Sequence, residues 1–200
     1  MTARIVVLAS GGGSNLQAIL DACANRTIDA NVVAVVSDRP AARALARALD
    51  AGVPAIPLAP ARAEERRSYD ARLADSVSMF APHWVVLAGW MRLLTMPFLG
   101  RFPQRVINLH PAMPGEFPGL HAIERAHEAA QTIDLQRTGA MVHLVPGEGV
   151  DDGPVLATRS LAIAKGEPLA DLERRMHALE HELLVEVLAD LCGAREVCSA

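Results

Sequence analysis

Ile5-Val6-Val7-Leu8-Ala9 carries no polar side chain, and Ser10-Gly11-Gly12-Gly13-Ser14-Asn15 follows it without a gap. A run this short and this apolar suits a β-strand covered on both faces. Leu16, Ile19, Leu20 and Cys23 then recur at helical spacing, so a helix begins near Asn15. A covered strand that feeds a helix points to a parallel sheet with helices packed on its faces. The pattern repeats. Val32 to Val36 is a second strand, closed by Ser37-Asp38-Arg39-Pro40. Ala41 to Asp50 is an alanine-rich helix with Gly52 at its C-cap. Ala55 to Leu58 is a third strand and Arg62 to Met79 a charged surface helix. Trp84 to Ala88 is a fourth strand, followed by Gly89, and Thr95 with Pro97 starts a short helix. Val106 to Leu109 is the fifth strand and His121 to Gln131 is helical.

The rhythm then changes. Ala140 to Val145 and Val155 to Ile163 read as two strands joined by a loop rich in glycine and acid. Leu169 to Leu191 is a long closing helix, with Leu172, Met176, Leu179, Leu183 and Val187 on one face. The expected fold is a single α/β domain, with a mostly parallel open sheet, a mixed antiparallel edge and flanking helices. It should span residues 1–192, with residues 193–200 a frayed tail.

Composition narrows the function classes. Two hundred residues suffice for one sizeable core. A net charge of -4 gives no reason to expect nucleic acid as a partner. No run of eighteen apolar residues exists, so no membrane span is expected. Met1-Thr2-Ala3-Arg4 leads straight into a strand with no secretory pattern. Cys23, Cys192 and Cys198 form an odd set without metal-like spacing and read as buried or free thiols in a reducing compartment. The expected location is the cytoplasm. The histidines are scattered rather than arranged as at a catalytic zinc, so no metal is expected.

Three stretches carry chemistry. In Val106-Ile107-Asn108-Leu109-His110-Pro111, strand alternation puts Asn108 and His110 on one side, and Pro111 ends the pairing. An amide and an imidazole then share the carboxyl end of a strand, the edge where open α/β sheets bind ligands. A plainer account is open too: Asn108 closes a turn and His110 is a satisfied core histidine. The glycine turn places free backbone N–H groups at a helix start, suited to phosphate, or it is a tight turn with a good N-cap. It lacks the lysine of a Walker loop and the third glycine of a dinucleotide fingerprint. Glu148-Gly149-Val150-Asp151-Asp152-Gly153-Pro154 is turn chemistry by composition. A carboxylate from it that reached His110 would orient the ring and favour its protonated form.

Taken together, these motifs resemble the phosphoribosylglycinamide formyltransferases, folate-dependent enzymes of purine synthesis. The resemblance rests on Ser10 to Asn15, Leu87 to Leu94, Asn108 to Pro111, Phe117 to His121, Val150 to Pro154 and Glu180-His181, in that order. It implies a Rossmann-like formyltransferase fold. It also implies transfer of a formyl group from 10-formyltetrahydrofolate, as co-substrate, to the amine of glycinamide ribonucleotide. Asn108, His110 and Asp151 match the catalytic trio. Gly13, Ser14 and Asn15 match the ribonucleotide phosphate site, and Glu180 a residue near that substrate. Arg66, Met91, Arg92, Leu93, Leu94 and Asn108 match the folate site, and His121 lies near it without a defined role. Asn108 is expected to donate to the oxyanion, and Asp151 to keep His110 oriented and protonated.

Two departures stand out. Met113-Pro114-Gly115-Glu116 replaces the family's paired leucines and proline, and the loop before Asp151 is longer by one residue. The resemblance leaves a monomer or a homodimer open. The competing readings are a sister 10-formyltetrahydrofolate enzyme, transferase or hydrolase, and a non-catalytic nucleotide-binding module.

Overall fold

The computed structural model of the chain describes residues 2–133 and 135–193. Strand and helix alternate as β1 (Ala3–Leu8), α1 (Ser14–Ala24), β2 (Ala30–Ser37), α2 (Arg43–Asp50), β3 (Ala55–Pro57), α3 (Arg66–Ser78), β4 (Trp84–Leu87), α4 (Met96–Leu99) and β5 (Val106–His110). After α5 (Ala122–Thr132) come β6 (Arg137–Leu144), β7 (Val155–Ala162) and α6 (Leu169–Gly193). Every expected element is present. The described part of α6 runs through Gly193, and Cys198 with the rest of the expected tail lies outside the described residues. Among the described residues Cys23 and Cys192 form no disulfide.

The seven strands run β3-β2-β1-β4-β5-β6-β7. The first five are parallel, while β6 and β7 pair antiparallel at the far edge. Strand alternation divides the core. Ile5, Val7, Val35 and Ile107 point into a cluster with α1, α5 and α6. Val6, Leu8, Val36 and Val85 point into a second cluster, under Tyr69 and Leu73 of α3 and Phe98 of α4. Two apolar layers explain why β1 needs no polar side chain. The edge strand β7 is wetter and alternates in burial. No helix among the described residues is long and apolar enough to cross a membrane.

The strand order reverses direction between β1 and β4. That is the switch point where open α/β sheets open a crevice beyond their carboxyl ends. The glycine turn leaves β1 on one side of it, and Gly89 to Leu94 leaves β4 on the other. Ser10 ties them: its N–H donates to the Gly89 carbonyl at 2.9 Å, and its Oγ accepts from the Met91 N–H at 2.9 Å.

Gly13 sits where the turn becomes α1, with φ of 73°. A Cβ there would lie 2.9 Å from the Ala44 Cα on α2. Both the left-handed backbone and the close approach require glycine. Gly13→Ala should cost roughly 1–3 kcal/mol. At about 2–4 °C per kcal/mol for a chain of this size, thermal melting should fall by several degrees. An unchanged Tm would show that α2 simply yields.

Candidate active site

Asn108 and His110 lie at the carboxyl end of β5 and turn to the same side, as alternation requires. Asp151 arrives from the loop between β6 and β7, with its backbone in the left-handed region at φ 53°. Its carboxylate collects donors from distant parts of the chain. Asn108 Nδ2 donates to Oδ1 at 3.0 Å and the Gly119 N–H to Oδ2 at 2.8 Å. His110 Nδ1 lies 3.3 Å from Oδ2, and His143 Nε2 lies 3.5 Å from Oδ1. The three expected catalytic residues therefore meet, although 40 residues separate His110 from the Val150-Asp151 step in the sequence.

Burial would raise the carboxyl pKa of Asp151, but the contact with His143, the Gly119 N–H and the neighbouring His110 outweigh it and hold it below the ordinary value. At His110 the balance goes the other way. Burial pushes its pKa below the ordinary 6.5, more than Asp151 and the Phe117 carbonyl raise it. The expectation that Asp151 keeps His110 protonated is corrected here: desolvation outweighs one carboxylate, and the resting ring is neutral at pH 7. Asp151 does orient the ring. On the other side, Nε2 meets the Phe117 carbonyl at 3.1 Å. The Asn108 Nδ2 is turned toward Asp151 Oδ1 at 3.0 Å and lies 3.1 Å from His143 Nε2.

The trio opens into a cavity of about 810 Å³. Met91, Arg92, Leu93 and Leu94 form one wall, with Asn108, His110 and Asp151 at its floor. Leu94 is buried, whereas Met91 and Leu93 are nearly half exposed, presenting apolar surface to a ligand. The Arg92 guanidinium stacks 4.9 Å from the Tyr69 ring. His121, at the left-handed N-cap of α5, also lines the cavity and bonds Glu124 at 3.0 Å.

Arg66, Glu180 and the glycine turn do not line this cavity. Arg66 stands on α3 with Nε 4.0 Å from the buried Asp70. Glu180 is buried on α6, bonds His177 Nδ1 at 2.7 Å, and its charge raises the His110 pKa. At the glycine turn, Gly13 rather than a side chain occupies the N-cap, so Ser14 and Asn15 open the first turn of α1. At a helix start the first backbone N–H groups have no intrahelical acceptor.

Three residues escaped sequence reasoning. His143 lies directly across from Asn108 in the antiparallel register. The trace of it was a lone polar residue inside the apolar run Ala140 to Val145. Arg47 on α2 reaches the glycine turn, where Nε donates to the Gly12 carbonyl at 2.9 Å and Nη1 to Gln17 Oε1 at 2.9 Å. A cation thus reaches the turn from another helix, and nothing local could reveal it. Glu148, in the lengthened loop, accepts from the Met96 N–H at 2.8 Å and fastens that loop to the start of α4. Among the described residues no group of three or more His, Cys, Asp or Glu side chains is placed to hold a metal ion.

An acid–base cluster at strand ends, beside an apolar cavity and a phosphate-suited turn, defines a group-transfer enzyme of the open α/β class. The chain belongs to the formyl transferase family, whose sequence pattern matches residues 3–188. It is 43% identical over 200 residues to a phosphoribosylglycinamide formyltransferase of Schizosaccharomyces pombe, covering 94% of this chain and 96% of that one. It is 37% identical to the Escherichia coli protein of the same name, covering 96% of this chain and 88% of that one. A crystal structure of glycinamide ribonucleotide transformylase 1 from Symbiobacterium toebii superposes with a TM-score of 0.91 at 40% identity, covering 97% of this chain and 89% of that one. These relatives lend no support to a deformylase or to a non-catalytic module.

A neutral, buried His110 makes the fold sensitive to acid. Below about pH 6.5 the unfolded chain protonates this histidine while the folded site resists, so stability is lost as pH falls toward the depressed folded value. Asp151 adds to the loss only below its ordinary 3.8. His110→Asn should therefore lose less stability than the parent chain between pH 7.5 and 5.5 in denaturant melts. Equal losses would mean that the buried ring does not resist protonation.

Proposed function

We propose that the chain, as a single formyltransferase domain over residues 1–192, moves the formyl group of 10-formyltetrahydrofolate to the amine of 5'-phosphoribosylglycinamide. The products are formylglycinamide ribonucleotide and tetrahydrofolate. The observation that carries this reading is the Asp151 carboxylate, 3.3 Å from His110 Nδ1 at the floor of a cavity with an apolar wall. Met91 to Leu94 and Arg66 receive the folate, with Arg66 and Arg92 suited to its carboxylates. Gly13, Ser14 and Asn15 receive the ribonucleotide phosphate, and Glu180 its sugar or amine end. The reaction is placed in the cytoplasm, with the chain acting as a monomer or homodimer.

The chemistry follows from the protonation states. Asp151 is ionised and His110 neutral, so a proton on Nδ1 points at the carboxylate and the Nε2 lone pair is the base. The substrate displaces the Phe117 carbonyl from Nε2. The amine nitrogen then attacks the formyl carbon, its proton passes to Nε2, and negative charge builds on the formyl oxygen. The imidazolium so formed, held by Asp151, faces that oxygen. Such stabilisation is worth roughly 3 kcal/mol in comparable sites. The ring then returns its proton to the folate nitrogen as the old carbon–nitrogen bond breaks.

Tetrahydrofolate release, followed by absorbance, tests the assignment. Both substrates should be required, and release without the amine would instead mean a hydrolase. His110→Ala should lower kcat about a hundred- to ten-thousand-fold; near-normal turnover would remove His110 from the chemistry. Asp151→Asn should also lower kcat. Because Asp151 raises the His110 pKa, its loss should move the acid limb of the pH–rate profile to lower pH. An unmoved limb would detach Asp151 from His110. A Ser14→Ala, Asn15→Ala pair should raise KM for the ribonucleotide and leave KM for the folate alone.

A further inference from the structure

We infer that Arg47 of α2 is a positioning residue for the ribonucleotide phosphate: it pins the Gly12 carbonyl and so aims the N–H groups of the glycine turn at the phosphate. The inference rests on the phosphate placement in the formyl-transfer reading above and adds to it a residue from another helix.

A trans peptide is planar, so its carbonyl and its N–H point in opposite directions, and fixing one fixes the other. Three successive carbonyls of the turn are held. The Gly11 carbonyl accepts the Ala44 N–H at 3.1 Å, the Gly12 carbonyl accepts Arg47 Nε at 2.9 Å, and the Gly13 carbonyl accepts the Gln17 N–H at 2.9 Å. The N–H groups of Gly12, Gly13 and Ser14 therefore point away from those partners. Among the described residues none of the three donates a hydrogen bond. Gly13 is left-handed, at φ 73° and ψ 31°, and Ser14 begins α1. Such a change of hand between neighbours sets consecutive N–H groups around one concavity. A Cβ on Gly12 would meet no atom within 4 Å, so the turn is open there. Of the three carbonyls, only that of Gly12 is held by a side chain.

Charge points to the same ligand. The positive end of the α1 dipole meets this turn, and the first turn of α1 holds no acid. Arg47 adds a cation there, and both its partners, the Gly12 carbonyl and Gln17 Oε1 at 2.9 Å, are neutral oxygens. Two positive fields side by side disfavour each other until an anion stands beside them. The Arg47 Cδ lies 3.3 Å from the place a Gly13 Cβ would take, so the stem packs against the turn.

Arg47→Met keeps the stem and removes the guanidinium. It should raise KM for 5'-phosphoribosylglycinamide about ten- to a hundredfold, the scale of one hydrogen bond to a charged group. KM for the folate and kcat at saturating ribonucleotide should hold, a split that general loosening of the fold does not produce. Arg47→Lys keeps a cation and a donor and should recover most of the loss. Inorganic phosphate, titrated while the amide signals of Gly12, Gly13 and Ser14 are followed by NMR, should shift all three in the parent chain and far less in Arg47→Met. Three results would overturn the inference: an unchanged ribonucleotide KM, both KM values rising together with a fall in Tm, or phosphate shifts that are absent from the parent chain or equal in Arg47→Met. A parent chain without turnover would defeat the formyl-transfer reading instead, and the phosphate titration would still decide the role of Arg47.

Discussion

A carboxylate stays ionised away from water only if other donors replace the solvent. Asp151 meets that condition with groups from β5, β6 and the segment before α5: Asn108 Nδ2, the Gly119 N–H, His110 and His143. Of these elements only β6 is adjacent to its own loop in sequence. The charge therefore does two jobs. It gathers the polar side chains at the end of β5, and it ties the loop of the antiparallel edge to the last parallel strand. The left-handed backbone at Asp151 belongs to the same constraint, because an αL residue is tolerated where surrounding contacts over-determine it.

His110 shows the opposing pull. Acceptors stand at both ring nitrogens, Asp151 at Nδ1 and the Phe117 carbonyl at Nε2, a pairing that suits a charged ring. Burial suits a neutral one, and burial prevails. The result is a base whose resting form is uncharged but whose charged form finds a partner in place the moment it is created. Acid–base catalysis needs that combination: the proton must arrive during the reaction, not before it. A histidine buried without a carboxylate would lack the second property.

The sheet was legible in the sequence because its signals are local. Apolar runs such as Ile5 to Ala9, helical spacing in Leu16 to Cys23, and breakers such as Pro40 and Gly52 act within a few residues. The pair Asn108 and His110 was legible for the same reason, since strand parity alone puts them together. What could not be read were contacts made by pairing register and by close packing between elements. His143 matters only because the β5–β6 register sets it opposite Asn108. Arg47 matters only because α2 packs close enough to the turn that a Cβ on Gly13 would touch Ala44. The charge state of His110 was misjudged on the same ground. A neighbouring carboxylate can be guessed from a motif, but the depth of burial that outweighs it belongs to the whole fold.

The glycine turn and the cavity wall are joined through a single residue. Ser10 follows β1, begins the glycine turn and is itself buried, its N–H donating to the Gly89 carbonyl and its hydroxyl oxygen accepting from the Met91 N–H. A shift at the turn therefore reaches the wall at Met91 through one hydrogen bond, without crossing the core. The wall has a second anchor in the buried Asp70, whose Oδ2 accepts from the Thr95 N–H at 2.7 Å and its hydroxyl at 2.6 Å. Glu148 holds Met96 from the loop that also carries Asp151. Anchored at both ends, the segment from Met91 to Met96 can keep exposed apolar side chains at the cavity mouth without collapsing onto the core. That rigidity lets a surface of methionine and leucine stay open for a ligand, when the hydrophobic effect alone would bury it.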